Sequence, residues 1–295
     1  MYPRHLLSLR ETSRDEIRFL LDTARSLSSG PSEAPPRKTV ALLPFDSDAT
    51  MRALVERACR RLGFDLMALS VTRDDGVAAT VRAAHALGAD AVVLRHPLAG
   101  APWGAARHFE GAVVNGGDGA NEQPVRGLID LLTLDGLVPR LEDLQVAIVG
   151  AIGLSAPGRS LLWGLRQMGA RVTLVGPPTM GADALAGDGV TVTHDLDGAL
   201  RDADAVYVLP LPPDGPQRCL YPSVSEYAQL FGIDAQRLSV ASRPIAVLHP
   251  GPLGREVGGD LGLAALRERQ LRDGVAMWSA VLMTLLGGRP DAVAA

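Results

Sequence analysis

The chain has 295 residues, 47% of them apolar, which is enough for a sizeable buried core and predicts two domains of about 150 residues each. A formal charge of −4 and a pI near 5.9 exclude the basic footprint of a nucleic-acid binder. No window reaches 18 uninterrupted apolar residues, and the polar start MYPRHLLSLRETSRDE lacks an apolar stretch, so neither a membrane span nor a secretory leader is expected and the expected setting is cytoplasmic.

In chain order, Ser13 and Glu16 form a capping box, after which Ile17, Leu20, Leu21, Ala24 and Leu27 recur on one face and predict a first helix. The segment SSGPSEAPPRK, 28–38, reads as a surface connection. Apolar runs of strand length follow at 40–43, 66–69, 91–94 and 112–114, then at 146–149, 172–175, 205–209 and 245–248, with helical patterns between them. Continuous Val, Ile and Leu runs suit parallel strands covered on both faces. Two sets of four predict an α/β fold of two doubly wound domains, each with a parallel sheet. The break is expected in LVPRLEDL, 137–144, where Pro139 and charged residues interrupt the pattern, giving a first domain over 1–136 and a second over 137–270. The apolar helix expected at 271–287 would return to the first domain rather than stand in water.

Of 29 Lys and Arg residues only Lys38 is a lysine, so any chemistry needing an ammonium from this chain has one candidate. Cys59 and Cys219 lack C-x-x-C or Cys/His spacing, which argues against a disulfide framework and against a zinc site; Cys59, inside a helical pattern, reads as core. VAIVGAIGLSAPGRSLLWGLRQMGARVTLVGPP, 146–178, reads as strand, Gly-rich turn, helix and strand. Gly150, Gly153 and Gly158 do not have G-x-G-x-x-G spacing, and Gly176-Pro177-Pro178 stands where an acidic ribose contact belongs. A tight turn explains these glycines better than a nucleotide, and no cofactor or metal is expected.

Several segments recur in an order that carries more information than any one of them: His5-Leu6-Leu7-Ser8-Leu9, Arg95-His96-Pro97, Asn115-Gly116-Gly117-Asp118-Gly119, Gly176-Pro177-Pro178, Ala205-Val206-Tyr207-Val208, His249-Pro250-Gly251-Pro252 and Asp273-Gly274-Val275-Ala276. Over nearly its full length the chain resembles the catalytic chain of aspartate carbamoyltransferases. The resemblance implies a carbamoyl-phosphate domain followed by an aspartate domain, the C-terminal helix returning to the first, and a homo-oligomer, a trimer, with shared active sites.

At the positions that would touch substrate the resemblance fails. Where that family grips carbamoyl phosphate with Ser-Thr-Arg-Thr-Arg at a helix start, this chain has Asp48-Ala49-Thr50-Met51-Arg52, in which only Arg52 matches. A carboxylate at Asp48 would oppose a phosphate oxygen by ~4 kcal/mol at ~4 Å and an effective dielectric near 20; Asp48 or Ser47 instead suits a helix cap. The mobile Lys-Gly-Glu-Ser loop is replaced by Arg73-Asp74-Asp75-Gly76. Arg95 matches a carbamoyl-phosphate contact and reads equally as half of an ion pair with Asp118 or another nearby carboxylate. Gln123 replaces a histidine and Arg126 a glutamine of the His-Pro-Thr-Gln segment. Gln123 cannot titrate near neutrality, and Arg126 reads as an exposed helix-face arginine or, with Arg52, Arg95 and Gln123, as part of a remodelled anion pocket. In the second domain Ala156 and the Pro210-Leu211-Pro212 segment replace arginines that hold substrate carboxylates. His249 and Pro250 are kept, as a turn alone would require, and Arg159 and Arg255 match family arginines.

Carbamoyl transfer asks a protein to position an amine, neutralise phosphate and polarise a carbonyl. Each lost donor of that kind typically costs ~3–4 kcal/mol, and at least five positions have changed. The expected function is therefore that of an inactive aspartate carbamoyltransferase-like protein, a structural or regulatory subunit linked to pyrimidine biosynthesis. Its expected partner is an active transcarbamoylase or another pyrimidine-pathway enzyme. The alternatives are a carbamoyltransferase-family enzyme with an altered substrate and a pocket of Arg52, Arg95, Gln123 and Arg126, or ordinary transcarbamoylase activity.

Overall fold

In a computed structural model, residues 4–29, 36–72, 75–180, 182–211 and 220–287 are described, and they divide into two compact units. The first runs to Ile129 and resumes at Gln270; the second is Asp130–Arg269. Both junctions fall inside helices, at residues 129/130 and 269/270.

The first unit begins with helix α1 (Arg14–Ser29), whose capping box is formed as the sequence predicts. Ser13 N–H donates to Glu16 at 2.8 Å, and Glu16 N–H donates to Ser13 Oγ at 3.3 Å. Ile17, Leu20, Leu21, Ala24 and Leu27 are all buried. Four parallel strands follow, β1 (Thr39–Pro44), β2 (Asp65–Ala68), β3 (Ala91–His96) and β4 (Ala112–Asp118), in the order β2-β1-β3-β4. The crossover helices are α2 (Ala49–Leu62), α3 (Val77–Ala86) and α4 (Ala101–Ala106), and α5 (Pro124–Asp135) leaves β4. The outer edge of β4 is covered by the N-terminal segment: Leu6 N–H donates to Val113 O and Asn115 N–H to Leu6 O, both at 2.9 Å.

The second unit carries β5 (Gln145–Val149), β6 (Arg171–Val175), β7 (Val190–Thr193), β8 (Ala205–Val208) and β9 (Ala246–Leu248), all parallel, in the order β7-β6-β5-β8-β9. Helices α6 (Ala156–Gln167), α7 (Leu196–Arg201), α8 (Val224–Phe231) and α9 (Ala235–Leu238) connect or cover them. The predicted class is therefore right, and one strand was not predicted. β7 reads Val-Thr-Val-Thr and is an edge, half-exposed, between Gly187-Asp188-Gly189 and α7, so it has no continuous apolar run to give it away. The last helix, α10 (Leu263–Leu286), starts eight residues before the predicted 271, because Leu263-Ala264-Ala265-Leu266 are strong helix formers and Gly262 sits at φ 72 just before them. Its portion from Gln270 belongs to the first unit, where a Cβ on Gly274 would lie 2.9 Å from Leu54 of α2 and 3.5 Å from Ile129 of α5.

In each sheet the chain starts centrally, winds outward to one side, and then crosses back, which leaves a switch point between β1 and β3 and another between β5 and β8. Loops at the carboxyl ends of strands flanking such a point diverge and form a crevice, where side chains reach solvent without disturbing the core. Among the described residues no helix is long and apolar enough to cross a membrane.

Cys59 lies in the core, 1% exposed on α2, and burial followed by the nearby Glu56 charge pushes its thiol up to about 12. Iodoacetamide at pH 8 should leave the Cys59 peptide unmodified in the native protein and label it fully in urea, as read by peptide mass mapping; native labelling would contradict the burial.

Candidate functional site

The first switch point gathers most of the residues singled out from the sequence. Arg95 is the next-to-last residue of β3, and the β3–β4 pairing slips by one residue at this point: Leu94 faces Asn115, while Arg95 faces Gly117. The slip leaves Gly116 as the extra residue of a bulge, and a bulge re-aims the neighbouring side chains. Arg95 Nη1 donates to Gly116 O at 3.2 Å. Glycine is required at the next position, since Gly117 has φ 130 and a Cβ there would sit 2.5 Å from Arg95 Nη1. The guanidinium then turns to the loop after β1. Nη2 is 3.5 Å from Asp46 Oδ2, and Nη1 is 3.5 Å from Asp48 Oδ2.

Asp48 has two further partners besides Arg95. Its Oδ1 accepts from Met51 N–H at 2.9 Å and so caps α2, as the sequence predicts for Asp48 or Ser47. Its Oδ2 accepts from Gln123 Nε2 at 3.4 Å as well as facing Arg95. Met51 is buried, with its sulfur 2.8 Å from where a Gly116 Cβ would stand, so this residue packs the strand rather than facing a ligand. Ala49 is exposed, Thr50 half-buried and Arg52 exposed. Arg126, in the first turn of α5, is half-buried and not the exposed helix-face arginine that its sequence position suggests.

Of the ion-pair partners considered for Arg95, Asp118 is not one. That carboxylate is fully buried and takes hydrogen bonds from Gly100 N–H (2.8 Å), Asn115 Nδ2 (2.9 Å), Asn121 Nδ2 (3.0 Å) and Glu122 N–H (3.1 Å). Four donors satisfy a buried charge without an arginine. Asn115 also donates to Leu7 O and accepts from Gly117 N–H, and a Cβ on Gly119 (φ 60) would collide with Pro97 O at 2.5 Å. The Asn-Gly-Gly-Asp-Gly run is thus fixed by architecture. His96 is likewise internal: its Nδ1 accepts from Leu98 N–H at 3.0 Å, and burial pulls its pKa below the usual value.

Asp46 is the residue the sequence reading missed. The only available signal was a second carboxylate two residues before the helix cap, a common arrangement on solvated loops. The single lysine is engaged elsewhere, with Lys38 Nζ 3.0 Å from Asp90 at the start of the sheet. In the loop after β2, Asp75 accepts from Thr72 N–H at 2.7 Å; Arg73 and Asp74 lie outside the described residues.

The second unit has its own polar centre. His249 and Pro250, at the end of β9, are buried. His249 Nδ1 accepts from Gly251 N–H at 2.8 Å, which puts the ring proton on Nε2, 3.1 Å from Glu256 Oε1. Glu256, 1% exposed, also accepts from Gly254 N–H (2.6 Å) and Leu211 N–H (3.4 Å). Burial raises its pKa, but hydrogen bonds from His249 and the backbone outweigh that and hold it below the ordinary 4.5. The sequence reading explained His249 as a turn and overlooked Glu256, which has no spacing signature. Pro250 O accepts from Arg267 at 3.3 Å. Ala156 is buried at the start of α6, Pro210 is half-buried after β8, and Pro212 and Cys219 lie outside the described residues. Arg159 is half-buried on α6 and Arg255 exposed. The Gly-rich turn is close-packed: a Cβ on Gly150 (φ 121) would meet Leu209 at 3.0 Å and the Tyr227 hydroxyl at 3.3 Å.

Residues 4–136 match the family described as aspartate/ornithine carbamoyltransferase, carbamoyl-P binding domain. The chain is 38% identical to an aspartate carbamoyltransferase catalytic subunit of Pelotomaculum thermopropionicum, covering 97% of both chains. It is 40% identical to one of Desulforudis audaxviator, covering 98% of this chain and 99% of that one. Its fold is like that of aspartate transcarbamoylase from Trypanosoma cruzi in complex with phosphate, with TM-score 0.84, 24% identity and 97% and 96% coverage. It is equally like ornithine carbamoyltransferase from Pyrococcus furiosus, with TM-score 0.84, 21% identity and 98% coverage of each.

Replacing Glu256 by Gln sets an amide N–H against backbone donors and should destabilise the fold by about 1.5–3 kcal/mol at neutral pH. A carboxylate with a lowered folded-state pKa contributes stability above its ordinary value and loses it as pH falls through the folded value. The gap between wild type and Glu256→Gln, measured by urea unfolding, should therefore shrink from pH 7 toward about pH 3. A gap independent of pH would refute the charged assignment.

Proposed function

Because the chain belongs to the aspartate/ornithine carbamoyltransferase family, we propose that it is a non-catalytic member, a structural or regulatory subunit that keeps the frame of a transcarbamoylase and lacks its transfer chemistry. The observation that carries this reading is the state of Arg95. The guanidinium that matches the family's carbamoyl-phosphate contact faces two carboxylates of its own chain, Asp46 and Asp48. A dianionic donor approaching it would meet a local charge of −1, one positive group against two negative. The helix start that should offer hydroxyls and a second guanidinium is closed by the Asp48 cap and the buried Met51.

The remaining substitutions support the same reading. Gln123 spends its amide on Asp48 rather than offering a titratable ring, the lysine that a mobile loop would donate is absent, and Ala156 and Pro210 stand where guanidinium groups would hold two carboxylates of an amino acid. The residues that build the frame, Asn115, Gly117, Asp118 and Gly119, are those retained. Loss of the donors with retention of the scaffold fits selection on assembly rather than on turnover. The reading makes the protein a cytoplasmic homo-oligomer, a trimer by family likeness, whose partner is an active transcarbamoylase or another enzyme of pyrimidine synthesis.

Losing several transition-state donors at ~3 kcal/mol each, even with strong non-additivity, predicts a rate at least about 10⁴-fold below that of an active transcarbamoylase. Carbamoyl phosphate with aspartate or with ornithine should give no ureido product above background in a colorimetric assay. Turnover within about 100-fold of an active enzyme would refute the proposal. The partner half is tested by co-purification with candidate pyrimidine enzymes followed by light scattering; a chain that stays a homo-oligomer beside all of them would remove the regulatory-subunit role.

A further inference from the structure

We propose that Asp48, backed by Asp46, is a built-in anion: the chain's own carboxylates occupy, and thereby close, an oxyanion site assembled at the first switch point. The inference rests on the non-catalytic reading and deepens it by naming what fills the site.

The donors converging on Asp48 are of the kind that hold a small oxyanion. The 14-residue helix α2 presents Met51 N–H at 2.9 Å from Oδ1, with the positive end of the helix dipole behind it. Gln123 Nε2 and Arg95 Nη1 approach Oδ2 at 3.4 and 3.5 Å. Three chemically different donors from three separate elements, the N-terminus of α2, the end of β3 and the residue preceding α5, meet on one carboxylate. A cap alone needs only the first of them. Asp46 takes the other face of the guanidinium, 3.5 Å from Nη2. The side chains of Arg95 and Asp48 are 21% and 24% exposed, so the cluster borders solvent, and an external anion could reach it if the carboxylates were neutral. Arg95 Nε is buried and has no partner, so the internal anions do not use all the donors that this guanidinium offers.

Neutralising the two carboxylates without changing their shape isolates the charge. The double variant Asp46→Asn/Asp48→Asn retains an oxygen acceptor for Met51 N–H, and asparagine is as good a helix cap as aspartate. Inorganic phosphate, titrated calorimetrically at fixed ionic strength against folded protein, should bind the double variant at least tenfold more tightly than wild type, equivalent to about 1.4 kcal/mol. Adding Arg95→Met should abolish that gain. A folded double variant that binds phosphate no better than wild type overturns the inference, as does a gain that survives Arg95→Met. If the double variant fails to fold, as judged by circular dichroism, the single Asp48→Asn variant carries the same comparison. Turnover by the wild-type protein would sink the non-catalytic reading, whereas absence of a phosphate gain in the variant sinks only the self-occupied site.

Discussion

A fully buried carboxylate must be surrounded by donors, and in the first unit that requirement falls on Asp118. Its oxygens collect the loop after β3 through Gly100, the β4 strand through Asn115, and the approach to α5 through Asn121 and Glu122. Removing the charge would leave these donors unpaired in the interior, and moving any of the loops would leave the charge unpaired. The position of Arg95 follows from this framework, because the β4 bulge that aims it is bounded by Asn115 and Gly117, both tied into the same network.

Such a framework fixes the backbone around the first switch point without drawing on Arg95, Asp46 or Asp48. The donors to Asp118 come from Gly100, Asn115, Asn121 and Glu122, whereas Arg95 faces Asp46 and Asp48 and Gln123 donates to Asp48, so the two clusters share no side chain. Over nearly its whole length the chain is 38–40% identical to aspartate carbamoyltransferase catalytic subunits. The second unit repeats the arrangement with Glu256, which draws together His249, Gly254 and Leu211 and anchors the turn following β9. In each unit a turn at the end of a strand is held by an internal acid.

The legibility of the sequence tracks how local each signal is. Continuous apolar runs identified eight strands, and the Ser13/Glu16 box and the Asp48 cap were readable because capping works over three residues. β7 escaped because an edge strand of alternating Val and Thr obeys a different pattern from the buried strands. The substitutions at the first switch point were visible one position at a time, but their combination was not. That Asp46 and Asp48 clasp Arg95, some 47 to 49 residues further along the chain, depends on the β1–β3 register and on the β4 bulge, and neither is encoded within a short window. The pairing of His249 with Glu256 is close in sequence, yet a glutamate seven residues past a histidine has no periodic signature.

The division of the chain also bears on how it is made. The first unit needs α10 from Gln270 onward, where Gly274 closes against Leu54 and Ile129, whereas the second unit is a continuous stretch. The inserted second unit precedes that part of α10 in chain order, so the surface around Leu54 and Ile129 is completed only by residues made after that unit. The core of the first unit is therefore closed by a segment distant in sequence, which makes its folding depend on contacts of long chain separation.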